Sequence, residues 1–499
     1  MSTLLSRDVR QLFSEIELTS NLTYAEYVSR DALGLSELVR TRQITADELL
    51  DCALTRCEAV NGQINAVVLD HREHARKQIR EGLPEGQLAG VPFLLKDLFV
   101  ELRGTTTANG SVALRHQMAS RNSTVTQRYL DAGLVIFGKT HSPEFGAAPS
   151  GDSTLWGAAR NPWKLERGPG GSSGGAAAAV AAGIVPVANA SDAGGSIRIP
   201  AAACGLFGLK PTRGRVPLGP ARYEGAGGLA TLHAVTRSVR DSAALLDAVA
   251  GEEPGGLYAA PAQSRPFLEE ASREPGRLRI AMMPHAMHGR KSDRPCIDAI
   301  HDAAALCASL GHDLDEVKGA VDHELYFHSR DVLRAAGTTA RVKGLERQFG
   351  RALREDELER ATWRFHEIGL QITGDQVMAA REAMFVLHQQ YLGLMDGFDL
   401  LLTPTMERLP AFVGEVALSL DDDDVLFGEA HRFTNLTAPL NMTGQPAMSV
   451  PLFWTAEGVP VGVQFVGRFN DEPKLFRLAA QLERARPWFN RLPRLSETA

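Results

Sequence analysis

Gly171-Ser172-Ser173-Gly174-Gly175, then the apolar run Ala176–Ala188, then Asp192-Ala193-Gly194-Gly195-Ser196-Ile197-Arg198: this stretch holds two serines framed by glycine within a few turns of chain. Glycine has no Cβ, so backbone N–H groups beside such a serine can crowd a ligand and face a developing negative charge as an oxyanion hole. A serine nucleophile also needs a base. Upstream, Val91-Pro92-Phe93-Leu94-Leu95-Lys96 ends an apolar run on one lysine, and a lysine desolvated by such neighbours can lose its proton near neutral pH and serve.

The rest of the chain bounds what these residues belong to. At 499 residues with 44% hydrophobic content, it can bury a large core. A formal net charge of −7 leaves no basic footprint for nucleic acid. The five cysteines (Cys52, Cys57, Cys204, Cys296, Cys307) are odd in number and lack CxxC spacing, which predicts free thiols in a reducing compartment and no zinc site. Charged residues interrupt Met1–Ser20, so no leader segment is read there, and Ala176–Ala188 is too short to span a bilayer. A cytoplasmic enzyme without membrane contact is the expectation.

Apolar periodicity over 32–60, with Thr45 and Glu48 spaced as a capping box, predicts two amphipathic helices. From Gly90 onward, short apolar runs between glycine-rich turns (Val91–Leu95, Leu134–Phe137, Ile184–Ala188) read as strands of a buried α/β sheet. Further strands are expected at Leu278–Met283, Leu400–Leu402, Met448–Leu452 and Val461–Val466, with helices at Asp241–Ala250 and Pro473–Ala485. Residues 296–395 read as mostly helical, a layer over the sheet or the site. Strands so late in the chain predict one interleaved α/β domain over 1–499: N-terminal helices to 90, a catalytic core over 90–290, the helical layer over 296–395, and C-terminal strands with a helix over 396–499. The carboxylate run Asp421–Asp424 reads as a solvated loop rather than a metal site.

Two pattern matches point elsewhere. Gly133-Leu134-Val135-Ile136-Phe137-Gly138-Lys139-Thr140 fits the Walker A expression, yet its four middle residues read as a buried strand where a phosphate loop needs free N–H groups. Gly170-Gly171-Ser172-Ser173-Gly174 fits the nucleophile elbow of α/β-hydrolase esterases, but the preceding Asn161–Pro169 cannot form the strand an elbow requires. His233, His285 and His431 are candidate partners for such a serine without a recognisable context. A third plain alternative makes the serines N-caps of a helix over Ala176–Ala182.

The neighbourhood as a whole resembles the amidase signature family. The resemblance rests on Gly90–Asp97, Ala132–Thr140, Gly171–Gly175, Asp192–Ala201 and Gly205–Thr212, with Asn441–Ala447 and Gly458–Gln464 as C-terminal landmarks. It spans roughly residues 32–486 and is weakest over 296–395. It implies a single large α/β domain with a central mixed sheet sandwiched by helices. By the same resemblance Ser196 is the nucleophile, Ser172 the bridging serine 24 residues before it, and Lys96 the base. The peptide before Ser172 is then cis, and the N–H groups of Ala193, Gly194, Gly195 and Ser196 form the oxyanion hole. Neither metal nor cofactor is implied, and the partner is a small-molecule amide, with a homodimer possible.

Two departures stand out: His141 where asparagine often follows Gly-Lys-Thr, and Ser191-Asp192-Ala193 for a threonine-bearing version. Within the family, Arg160-Asn161-Pro162-Trp163 and the block Asp192–Arg215 are most similar to hydrolases of cyclic aminohexanoate dimers. The alternatives are an amidase of another aryl or aliphatic amide, the glutaminase subunit of a tRNA-dependent amidotransferase, which shares the triad, and an α/β-hydrolase-like esterase. The substrate pocket is expected from 296–395 and from loops near 215–230 and 400–445.

Overall fold

The computed structural model describes residues 22–286, 290–317 and 321–496; the segment read as lacking a leader, Met1–Ser20, lies outside them. The N-terminal helices form where expected, Ala32–Arg40 and Ala46–Ile64. The second carries the anticipated capping box, with Glu48 N donating to Thr45 Oγ1 (3.2 Å) and Thr45 N to Glu48 Oε2 (2.7 Å). Each bond satisfies a donor that a helix start would otherwise leave open.

The strands in chain order are β1 (Val67–Asp70), β2 (Pro92–Lys96), β3 (Val135–Thr140), β4 (Asp152–Ser153), β5 (Gly157–Ala158), β6 (Val187–Asp192), β7 (Phe207–Lys210), β8 (Thr231–Thr236), β9 (Arg279–Met282), β10 (Asp313–Glu316), β11 (Leu400–Pro404), β12 (Ala447–Trp454) and β13 (Pro460–Val466). All but the small β4–β5 pair join one sheet of eleven strands, in the order β1-β3-β2-β6-β8-β7-β12-β13-β11-β9-β10. The sheet is mixed. β3, β2 and β6 run parallel, as do β11, β9 and β10, while antiparallel pairings link β6 through β8, β7, β12 and β13 to β11. β2, β3, β7, β8 and β13 are buried along their whole length, which is why their apolar runs do not alternate.

Several boundaries differ from the sequence expectation. The run Ile184–Ala188 does not open a strand at its start: Gly183 turns the chain at φ +72°, and Pro186 has no N–H to give a ladder, so pairing begins at Val187 and extends to Asp192. β1, β7, β8 and β10 were not anticipated. β8 holds the polar Thr231, His233 and Thr236 in a buried strand, and β10 (Asp313–Glu316) interrupts the mostly helical stretch after the helix Arg294–Ser309. Beyond it lie the helices His323–Phe349, Arg360–Gly369 and Gly374–Leu394.

The carboxylate run is exposed as expected but is not a loop throughout. Asp422 caps the short helix Asp423–Phe427, and Asp421 accepts a hydrogen bond from Arg360 Nε at 2.9 Å. Among the described residues no helix is long and apolar enough to cross a membrane.

The alanine-rich segment is the helix Gly174–Ala181, buried on every side. Its small residues let it lie close against the sheet: a Cβ on Gly175 would stand 2.4 Å from His141 N and 2.6 Å from the Ala66 carbonyl oxygen. Ser173 occupies its N-cap position but makes no capping hydrogen bond. Its hydroxyl is engaged with Lys96.

Candidate active site

Lys96 is the last residue of β2, and Ser191 and Asp192 end the parallel neighbour β6, so the three arrive side by side at the same sheet edge. Two loops descend on that edge. One carries Ser172 and Ser173 into the helix Gly174–Ala181; the other carries Ala193–Ser196 into the helix Arg198–Cys204. The Gly171–Ser172 peptide is cis.

The Lys96 amine is fully buried. Its Nζ lies 2.7 Å from Ser172 Oγ, 2.9 Å from Ser173 Oγ and 3.0 Å from Ser191 Oγ. When protonated it donates to all three; when neutral, its lone pair can take a proton from one of them. Burial pushes the Lys96 pKa down to about 7, against a partial upward pull from the Asp192 carboxylate. A lysine so placed is a base at neutral pH. Ser172 is buried with it, whereas Ser196 is partly exposed to a cavity.

Asp192 and Arg198 brace the Ser196 loop. Arg198 Nε and Nη2 each donate to the carboxylate at 2.9 Å, both side chains wholly buried. The remaining guanidinium donors reach Thr437 O (2.9 Å), Gln464 Oε1 (2.7 Å) and Asn441 Oδ1 (2.8 Å). Burial pushes the Asp192 carboxyl up, but Arg198 outweighs it and holds the group well below the usual carboxylate range. Asp192 also accepts from Gly195 N (2.7 Å), Ile197 N (3.2 Å) and Asn441 Nδ2 (2.9 Å). Thr437 Oγ1 donates to the Gly194 carbonyl at 2.8 Å.

Of the four N–H groups expected to form an oxyanion hole, the Gly195 N–H is therefore occupied by Asp192. Ala193, Gly194 and Ser196 line the cavity.

The cavity beside Ser196 has a volume of about 350 Å³. Its walls include the helix His323–Phe349 with Arg330, Leu333 and Arg334, the loop at Ala226–Leu229, and Val416, Leu418 and Met442 from the C-terminal part; a further wall, Phe145–Pro149, comes from a segment outside those expected.

Other residues singled out in the sequence have structural duties. Lys139 of the Walker-like match sits inside β3, its Nζ bonded to Val100 O at 2.7 Å and to Thr107 Oγ1; the match is a strand. Before Ser172, the segment 161–169 holds only two isolated bridges, Asn161 to Lys164 and Arg167 to Phe412, and no strand, so the elbow is not formed. His141 is buried with Nε2 2.9 Å from Gly157 O, and burial lowers its pKa to about 4, so it props the loop as a neutral ring. His233 Nε2 pairs with Ser242 Oγ at 2.8 Å. His431 does reach the cavity, where its Nε2 lies 3.0 Å from Arg330 Nη2.

The sequence reading named no role for Ser173, Arg198, Asn441 or Gln464. The last three lie within family landmarks, and only the buried ion pair explains them: Arg198 and Asn441 reach the Asp192 carboxylate, and Gln464 accepts from Arg198.

The amidase family profile matches residues 48–476. The chain is 38% identical over 484 residues to the 6-aminohexanoate-cyclic-dimer hydrolase of Pseudomonas sp. strain NK87, covering 93% of this chain and 97% of that one. The structure of a 6-aminohexanoate cyclic dimer hydrolase complexed with substrate superposes with a TM-score of 0.88 at 37% identity, over 93% of this chain and 99% of the other. A bacterial aryl acylamidase of the amidase signature family superposes with a TM-score of 0.83 at 28% identity, over 92% and 96% of the two chains. With the mixed sheet and the buried lysine–serine cluster, these likenesses show that the chain belongs to the amidase family and is an amide-hydrolysing enzyme.

Proposed function

We propose that the enzyme cleaves the amide bond of a small molecule through an acyl-enzyme on Ser196, with Ser172 and Lys96 as the proton relay. The observation that carries this reading is the buried Lys96 amine held 2.7 Å from Ser172 Oγ with its pKa pushed down to about 7. Ser196 Oγ attacks the amide carbonyl carbon as its proton passes to Ser172 Oγ and the Ser172 proton passes to Lys96 Nζ. The tetrahedral oxyanion is met by N–H groups of Ala193, Gly194 and Ser196, donors already fixed in place before charge develops. Collapse breaks the C–N bond as the proton returns through Ser172 to the leaving nitrogen. Water then attacks the acyl ester by the same relay, releasing the carboxylate and restoring Ser196.

An aminohexanoate amide, cyclic or linear, is the substrate class we favour. The 38% identity to a 6-aminohexanoate-cyclic-dimer hydrolase over nearly the full length of both chains supports it. The five cysteines are free, which supports the cytoplasm as the compartment. The deciding experiment assays wild type, Ser196→Ala and Ser172→Ala on 6-aminohexanoate cyclic dimer, a simple anilide and a matched ester, alongside fluorophosphonate labelling. Labelling and amidase activity are expected to vanish in Ser196→Ala; unchanged labelling there would sink the nucleophile assignment. Activity of the purified chain alone on a simple amide separates this reading from that of a glutaminase subunit.

A further inference from the structure

The cavity wall contributed by the helix His323–Phe349 carries a charge that the hydrolysis chemistry does not use. Arg330, Arg334 and Arg341 all line the cavity, and no Asp or Glu lines it among the described residues. Spaced at i, i+4 and i+11, the three fall on one face of the helix. Arg330 is answered by Asp331 at 2.7 Å. The other two make no salt bridge among the described residues, although Arg334 feels the charge of Asp331. Arg334 donates to the Ala147 carbonyl at 2.8 Å and stacks 3.8 Å from the Phe365 ring centroid.

Arg341 is the more exceptional. Its Nη1 is buried without a hydrogen-bond partner among the described residues. Its guanidinium lies 4.0 Å from the Phe99 ring centroid and 4.9 Å from that of Phe145, and Arg222 lies 4.4 Å from the same Phe99 ring, so a like charge stands nearby. Stacking covers the face of a guanidinium but leaves its in-plane N–H groups unanswered. Glu144 carries the closest opposing charge felt at Arg341, but its oxygens are engaged by Ser111 Oγ at 2.6 Å and Glu359 N at 2.8 Å, and burial raises its pKa to about 7. Burial lowers the Arg341 pKa to about 9 and that of Arg334 to about 10, so both remain charged at neutral pH. Both side chains are half-buried; a cation largely withdrawn from water without a salt bridge is costly, and an anion arriving with a substrate would relieve that cost.

We infer that this wall is a carboxylate subsite: the amide cut at Ser196 belongs to a substrate bearing a free carboxylate away from the scissile bond, which pairs with Arg341 and is supported by Arg334. This inference rests on the Ser196 reading and narrows it, because a cyclic amide dimer has no free carboxylate whereas a linear amide of an amino acid ends in one. Bidentate geometry makes guanidinium the natural partner for that group.

The test uses two substrate pairs, so that the carboxylate is offered on either side of the amide. In one pair, glutaryl-4-nitroanilide is set against 5-hydroxypentanoyl-4-nitroanilide; in the other, N-hexanoyl-6-aminohexanoate is set against N-hexanoyl-6-aminohexanol. In wild type, at least one pair is expected to favour the carboxylate by about tenfold or more in kcat/KM, chiefly through KM. The ratio should fall towards one in Arg341→Met and recover in part in Arg341→Lys. Because the ratio is read within each protein, loss of folded enzyme cancels.

A binding arm needs no turnover. Glutarate should raise the Tm of Ser196→Ala and fail to raise that of Ser196→Ala combined with Arg341→Met. Ratios near or below one in an active wild type, or a preference and a glutarate shift that both survive Arg341→Met, would overturn the subsite. Turnover that persists in Ser196→Ala would instead overturn the nucleophile reading and leave the glutarate measurement to decide the subsite.

Discussion

At the scale of single residues, the buried lysine sets the pH response. Lys96 must be neutral to accept a proton, and burial brings its pKa to about 7. Amidase kcat/KM should therefore rise as pH passes upward through about 7 and level above it, because below that value Lys96 is protonated and cannot serve as base. A pH–rate profile that is flat from weakly acidic to alkaline pH would contradict the assignment. Replacing the proposed base, Lys96→Ala, is expected to lower turnover of an anilide by about 10²–10⁴-fold and that of a matched ester less, since an amine leaves poorly unless protonated. Parallel steady-state assays on the two substrates read the difference; equal losses would show that Lys96 does not act in leaving-group protonation.

The Asp192–Arg198 pair makes a different demand. Both side chains are wholly buried, and removing one partner strands the other charge. Arg198→Met should destabilise the fold by about 3–5 kcal/mol, read as a lowered urea midpoint. A midpoint close to wild type would mean that the pair contributes little to holding the loop.

At the scale of elements, the site is made by strand ends and helix starts. Two parallel strands set Lys96 beside Ser191 and Asp192, and the helices that follow the two glycine loops anchor the serines. Glycine is needed where these loops pass closest. Gly195 has φ +124°, and a Cβ there would lie 2.2 Å from Thr437 Oγ1, which itself holds the Gly194 carbonyl. Gly195→Ala should thus reduce kcat by orders of magnitude by displacing the Ser196 loop while leaving the distant sheet folded. Fluorophosphonate labelling rates and far-ultraviolet circular dichroism would separate these effects, and labelling at the wild-type rate would show that the loop tolerates the methyl group.

The helix His323–Phe349 was legible as a helix, because it is long and lacks proline. Its arginines were not legible as a functional wall, since nothing local distinguishes an arginine facing a cavity from one facing water.

At the scale of the molecule, β12 and β13 lie in the interior of the sheet although they come late in the chain, and β11 joins them. Gln464 of β13 and Asn441 just before β12 then reach the Arg198 guanidinium. A chain ending at Asp399 would lose all three strands, leave β7 and β9 each without one ladder neighbour and split the sheet between them. It should give no soluble protein that reacts with fluorophosphonate; soluble, labelled protein would show that the site stands without the C-terminal strands. This long-range closure also explains which strands escaped the sequence reading. β7 and β8 are short, and β8 carries polar residues, so their local pattern resembles a loop. They pair because ladders flank them on both sides: β8 lies between β6 and β7, and β7 between β8 and the late strand β12.

The sequence by itself determined the chemistry: the glycine-framed serines, the lysine ending an apolar strand, and the spacing that ties them to one family are local patterns that survive reading in one dimension. Only the tertiary structure decided which hydroxyls surround the Lys96 amine, that the Gly195 N–H answers Asp192, and that two arginines line the cavity without a salt bridge among the described residues. Those are questions of distance and desolvation between residues remote in the chain. A side chain's type is written in the sequence, whereas its burial and its partners exist only once the sheet has closed around it.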